Sequence, residues 1–234
     1  MPQPALLAIS HGTDSRAGQS AVRRLVDAVA DRLPDVTVRL GHVDVQQPDV
    51  AASLEALPAE APVVIVPLLL SAGYHVRVDL RAQSAGRQGV VIAPALGPDP
   101  RLVEVLVERL HALEASDSDT IVLAVAGSSD ERANDDCRAV GTMLGERLSR
   151  RVTVGFLAAA DPRLDAAVAQ GATRGSRVVV ANYLLAPGYF QDLAVRLAGG
   201  ASVARPLLDA DAPAAGLVDV VLDRYRTAAG RLPD

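Results

Sequence analysis

The chain has 234 residues, enough for one large domain or two of about 115. Half of it is hydrophobic but only 3% is aromatic and there is no Trp, so any core must be built from Ala, Val and Leu. All 23 basic residues are Arg and the net charge is −5, which gives no support for a nucleic-acid surface yet leaves room for an arginine-lined pocket for an acidic small molecule.

One cysteine, Cys137, rules out a disulfide framework and a cysteine-rich zinc or iron–sulfur site. Its NDDCRAV setting reads as an ordinary helix. The start, MPQPALLAISHGTD, lacks the basic region and long apolar run of a signal peptide. Apolar runs reach about eight residues, against roughly 20 for a bilayer span, so a cytoplasmic protein with no membrane partner is expected.

In chain order, Ala5 to Ser10 is a short apolar run, read as a buried strand, with His11-Gly12-Thr13-Asp14 as its turn. Ser20 to Leu33 has helical spacing, with Val22, Leu25, Val26, Val29 and Leu33 on one face. Val36 to Val45 reads as a second strand, and Gln46-Gln47-Pro48-Asp49 opens a short helix through Leu57. Val63 to Leu70 is a third strand, bounded by Pro62 and Gly73, and Tyr74-His75 follow at once. Val90 to Ala93 is a fourth strand, and Pro98-Asp99-Pro100 starts a helix over Arg101 to Leu113. Strands alternating with helices predict an α/β fold with a mainly parallel sheet covered on both faces.

Ser116 to Asp119 is a polar linker, after which the pattern restarts. Strands are expected at Thr120 to Ala126, Val152 to Leu157, Val178 to Leu185 and Ser202 to Ala204. Helices are expected at Arg132 to Leu148, after Asp161-Pro162, and at Ala214 to Ala228. The two halves, 1–115 and 116–234, form a tandem repeat. Gly12 and Gly73 recur 115 positions on as Gly127 and Gly188, and Pro48 recurs 114 positions on as Pro162.

Aligning the halves separates scaffold from chemistry. The glycines, the proline and a tyrosine (Tyr74 and Tyr189) occur in both, whereas His11 faces Ala126, Asp44 faces Ala158 and His75 faces Phe190. His11, Asp44 and His75 each follow a parallel strand, so they gather at the carboxyl edge of one sheet, where open α/β sheets bind ligands. Two imidazoles and a carboxylate suit a divalent first-row metal, and they also suit proton acceptance near neutral pH. The first half is therefore expected to carry the active site and the second to be a pseudo-repeat lacking it.

Other polar groups read as structural. His42, two residues before Asp44, shares its strand face by alternation but reads as a packed or solvated histidine. His111 lies at a helix carboxyl end. Arg16, Arg77, Arg81 and Arg87 each read as surface charges, and Asp79 as a helix cap. No GxGxxG follows the first strand, a GxxxxGK[ST] loop is impossible without lysine, and no G-x-S-x-G elbow is present.

With these residues in view, SHGT after the first strand and PLLLSAGYHVRVDL after the third resemble the paired signatures of the sirohydrochlorin chelatases, the class II chelatase family of cobaltochelatases and ferrochelatases. The resemblance covers nearly the whole chain, including the duplicated plan. It departs at Asp44, where the family more often has glutamate, and at Leu69, where phenylalanine is usual. The resemblance implies two tandem α/β/α domains with an active cleft between them. It implies insertion of Co or Fe into sirohydrochlorin, in siroheme or cobalamin biosynthesis, without a nucleotide or a permanently bound cofactor. His11 and His75 would be metal ligands or proton acceptors, assisted by Asp44, and a monomer is expected. Two other readings stay open on the residues: a non-catalytic metal or tetrapyrrole carrier, and an interaction protein in which the histidines merely pack.

Overall fold

The computed structural model describes residues 3–71, 73–172 and 176–232, with the side chains of 74–77 outside the description. Two four-stranded parallel sheets form. The first contains β1 (Ala5–Ser10), β2 (Val38–His42), β3 (Val63–Pro67) and β4 (Val90–Ile92) in the order β2-β1-β3-β4. The second contains β5 (Thr120–Val125), β6 (Val152–Phe156), β7 (Val178–Tyr183) and β8 (Ser202–Val203) in the order β6-β5-β7-β8. The identical strand orders show the repeat expected from the sequence at the level of the fold.

Eight helices are described: α1 (Arg16–Asp31), α2 (Val50–Glu55), α3 (Tyr74–Ser84), α4 (Pro100–His111), α5 (Glu131–Arg147), α6 (Leu164–Ala172), α7 (Tyr189–Leu197) and α8 (Ala215–Ala229). Among these residues no helix is long and apolar enough to cross a membrane. Both faces of each sheet are covered, which is why β1, β3, β5 and β7 are buried almost throughout rather than at alternate residues.

The core has three parts. Leu7, Ile9 and Ile65 pack outward with Val50, Leu54 and Leu80 beneath α2 and α3. Val122, Val180 and Leu184 pack outward with Leu164, Ala167 and Ala194 beneath α6 and α7. The largest part lies between the sheets, where α1, α4, α5 and α8 bring together residues such as Leu25, Leu106, Val140 and Leu222. The last helix of each half crosses over within this layer. Helix α4 packs on β7, and α8 packs on β3 and β4. Arg101 on α4 ion-pairs Asp223 on α8, and Arg224 donates to the carbonyls of Ala95 and Leu96.

Three local expectations need correction. Helix α1 starts at Arg16 rather than Ser20, because the Ser15 hydroxyl caps it by accepting from Gly18 N–H. Asp79 is an exposed mid-helix residue of α3 and caps nothing, since α3 begins at Tyr74 with Gly73 as its cap position. Arg87 is not a solvated charge: its guanidinium donates to the carbonyls of Leu54, Leu57, Pro58 and Ala61 and closes the loop after α2.

Candidate functional site

The carboxyl ends of β1, β3, β5 and β7 open onto one cleft of about 520 Å³ between the two sheets. The order β2-β1-β3 reverses direction at β1/β3, so this edge of the first sheet is a topological switch point, the usual ligand position in such sheets. The first half contributes Ser10, His11, Thr13, Val45 and Leu68 to Ser71. The second contributes Ala126, Cys137 and Tyr183 to Phe190.

His11 lines this cleft and is solvent-exposed. Asp44 lies two residues past β2, also exposed, and its main chain is joined to that of His11 by Asp44 N–H donating to His11 O at 3.0 Å. The Asp44 carboxylate accepts from Val45 N–H at 2.7 Å. The strand face assigned to Asp44 by alternation does not hold: β2 ends at His42, and Val45 has φ 63°, a sparsely populated conformation for a β-branched residue. His75 is the second residue of α3, just beyond β3, and its side chain lies outside the described residues. The three residues thus stand beyond the carboxyl ends of three adjacent strands. Among the described residues no group of three potential metal-binding side chains is assembled.

A shared backbone frame holds these turns. Gly12 has φ +95° and a Cβ there would lie 2.0 Å from Asp44 O; Gly127 has φ +83° and a Cβ there would lie 2.0 Å from Ala158 O. Only glycine fits this close approach. Thr13 N–H donates to Gln46 Oε1, and Gln19 Nε2 donates to Thr13 O; in the second half Asn134 plays both parts toward Ser128. The halves also touch as related pairs, since Thr13 Oγ1 abuts Gly188 and Ser128 Oγ abuts Gly73.

Beside His11, the Ser10 hydroxyl lies 2.8 Å from His42 Nδ1, with both residues buried. Burial, and then the charge of Arg23, hold the His42 imidazole below its usual range. The opposite wall is apolar: Tyr189 and Phe190 are exposed, edge-to-face at 5.6 Å, next to Leu185 and Pro187. Cys137, on the same wall, is buried, which pushes its thiol up to about 11, so it is no ready nucleophile. No arginine is among the described cleft-lining residues, so the arginine-lined pocket for which the composition leaves room is not seen there. Helices α1 and α7 instead present their N-termini to the cleft, which favours anionic groups. Sequence reasoning gave no site role to Ser10, Val45, Tyr189 and Phe190, all of which line the cleft; comparing Ser10 with Val125, and His42 with Phe156, could have exposed the first.

With this geometry in view, comparison with known proteins is decisive for the family. The CbiX family model matches residues 5–113 and 120–201, which spans both repeats. The chain belongs to the CbiX family. A sirohydrochlorin ferrochelatase of Priestia megaterium is 26% identical over 171 residues, 68% of this chain and 64% of that enzyme, so the match spans just under two thirds of the relative. A sirohydrochlorin cobaltochelatase of Sulfolobus acidocaldarius is 27% identical over 109 residues, 44% of this chain and 87% of that enzyme. The structure of SirB from Bacillus subtilis with Fe3+ superposes with a TM-score of 0.79 at 17% identity, covering 98% of each chain. This CbiX-family chain therefore has the chelatase-like fold over its full described length, and its curated relatives are iron and cobalt chelatases.

Proposed function

We propose that this protein inserts a divalent metal, Co or Fe, into sirohydrochlorin. The reaction exchanges M²⁺ for two pyrrole N–H protons, so the cleft must deliver a metal on one side of the ring and accept two protons. His11 and His75 serve as metal ligands, proton acceptors or both, and Asp44 offsets the metal's charge beside them. The first half, 1–115, carries this chemistry and the second, 116–234, is the degenerate repeat. The macrocycle lies in the cleft, one face against the apolar second-half wall, the other toward His11, and its carboxylates toward helix N-termini. The protein works as a cytoplasmic monomer, the internal repeat standing in for a two-fold partner, and needs no nucleotide.

One observation carries this reading. The family match runs through both halves, and His11, which replaces the Ala126 of the repeat, lines the cleft, with Asp44 bonded through its main chain to His11 O. The test is anaerobic mixing of protein, sirohydrochlorin and Co²⁺ or Fe²⁺, followed by absorbance. Turnover above the uncatalysed rate, lost in His11→Ala, is the expected result. Stoichiometric binding without turnover would instead identify a carrier.

A further inference from the structure

The Ser10–His42 pair is a buried polar contact that the fold does not require. Ser10 stands opposite His42 on the last rung between β1 and β2; the matching rung between β5 and β6 pairs Val125 with Phe156, both fully buried. The main chain around the two rungs is the same. Val43 N–H donates to Ser10 O and Asp44 N–H to His11 O at 2.9 and 3.0 Å, and Leu157 N–H donates to Val125 O and Ala158 N–H to Ala126 O, both at 2.9 Å. His42 N–H bonds to Pro48 O as Phe156 N–H bonds to Pro162 O. An apolar pair thus builds this corner equally well. Burying a hydroxyl and an imidazole there costs more than burying Val and Phe, even when they bond to each other.

The pair has a direction. Ser10 lines the cleft beside His11, while His42 does not reach it and lies behind the hydroxyl. A hydroxyl offers one hydrogen and two lone pairs, and a single bond to Nδ1 leaves bonding capacity for a neighbour. The other replacements between the halves, His11 for Ala126 and Asp44 for Ala158, fall on the same sheet edge.

We propose that Ser10 is a further ligand-contacting residue of the cleft and that His42 is its positioning residue, fixing the direction in which the hydroxyl bonds. The ligand's identity rests on the chelatase reading. The partner is a polar hydrogen-bonding group, either on the macrocycle or on a water carried by the metal.

The experiment uses ¹⁵N-histidine-labelled protein and two probes, sirohydrochlorin alone and Zn²⁺ alone, followed by NMR. The probe that engages Ser10 shifts the His42 ring nitrogens in the native protein and leaves them unmoved in Ser10→Val. If a probe perturbs His11 while His42 stays still with both probes, the proposal is overturned. If neither probe moves any resonance, the chelatase reading fails and this assignment falls with it. In turnover, Ser10→Val/His42→Phe, which installs the second-half residues, should keep or raise the unfolding temperature. It should lose about 10- to 100-fold in kcat, as is typical for partners that orient a site. His42→Asn, whose amide can still bond to the hydroxyl, should recover most of that loss. Unchanged kcat in the double variant, or His42→Asn as slow as the double variant, overturns the proposal; if the double variant does not fold, Ser10→Ala carries the same kinetic test.

Discussion

Gly12 and Gly127 allow a paired test that separates backbone cost from chemical cost. Each has positive φ and each would set a Cβ 2.0 Å from a carbonyl oxygen, of Asp44 in one case and of Ala158 in the other. An alanine at either position incurs about 1–2 kcal/mol for its conformation. It must also open the contact by about 1 Å or more, which displaces backbone and brings the total to about 2–4 kcal/mol. Gly12→Ala and Gly127→Ala should therefore lower the urea midpoint by similar amounts at unchanged m-value. Their effects on turnover should differ. The carbonyl displaced in Gly12→Ala belongs to Asp44, whose N–H is bonded to His11, so both groups shift. A displacement near 1 Å in a reacting constellation can cost about 100-fold in rate. The carbonyl displaced in Gly127→Ala belongs to Ala158, which has no side chain to misplace beyond a methyl. Measured well below both midpoints, kcat should fall steeply in the first variant and little in the second. Equal losses of kcat would refute the assignment of chemistry to the first half, and an unchanged midpoint in both would refute the steric argument.

Other outcomes follow from the packing. Burial raises the Asp99 carboxyl, but hydrogen bonds from Arg101 and the charges of Arg101 and Arg224 outweigh it and hold the group below the usual carboxylate range. A carboxyl with a depressed folded value contributes stability above its unfolded value and loses it as pH falls through the folded one. Asp99→Asn should thus cost about 1.5–3 kcal/mol near neutral pH and flatten the acid limb of a stability–pH curve; an unaltered acid limb would count against the ion-pair account. Tyr225→Phe removes the bond from its hydroxyl to Pro4 O at 2.6 Å, which ties α8 to the chain start, and should cost about 1 kcal/mol in chemical unfolding. With its thiol raised to about 11, Cys137 should react with a disulfide reagent at pH 8 far more slowly in the native protein than in urea; equal rates would show that the buried position is wrong.

Much of the fold was legible because the signals were local. Aliphatic runs such as ALLAIS and VVIVP are strands buried on both faces, and the repeat of Gly12 and Gly73 as Gly127 and Gly188 marks the turns that follow them. That His11, Asp44 and His75 each follow one of three adjacent parallel strands was legible from strand order alone, whereas a convergence of their side chains is not seen among the described residues. The crossing of α4 and α8 was not legible, because an apolar helix face such as Leu102, Val103 and Leu106 says that the helix is buried without saying against which sheet. Asp79 was misread because no side chain caps α3, leaving no sequence signal at Gly73. The face of Asp44 was misread because alternation was carried past His42 into a bend that Val45 turns with positive φ.

On the chelatase reading, the repeat also explains how chemistry can be concentrated on one side of the cleft. The two halves share the turn geometry at Gly12 and Gly127, so that geometry does not depend on His11 or Asp44. Removing polar groups from the second half leaves a wall of Leu185, Pro187, Tyr189 and Phe190 facing the polar edge. On the chelatase reading, a flat ring held between such unlike walls meets metal ligands and proton acceptors on one side only. Among its described lining residues that wall has no imidazole or carboxylate, so an ion delivered from the His11 side finds such ligands only on the side it came from. A symmetric cleft with imidazoles on both walls would offer the metal ligands outside the ring as well as within it. The loss of His11 and Asp44 equivalents at Ala126 and Ala158 is then a requirement of one-directional delivery. It predicts that Ala126→His, although exposed to the same cleft, will hold metal and slow insertion rather than speed it.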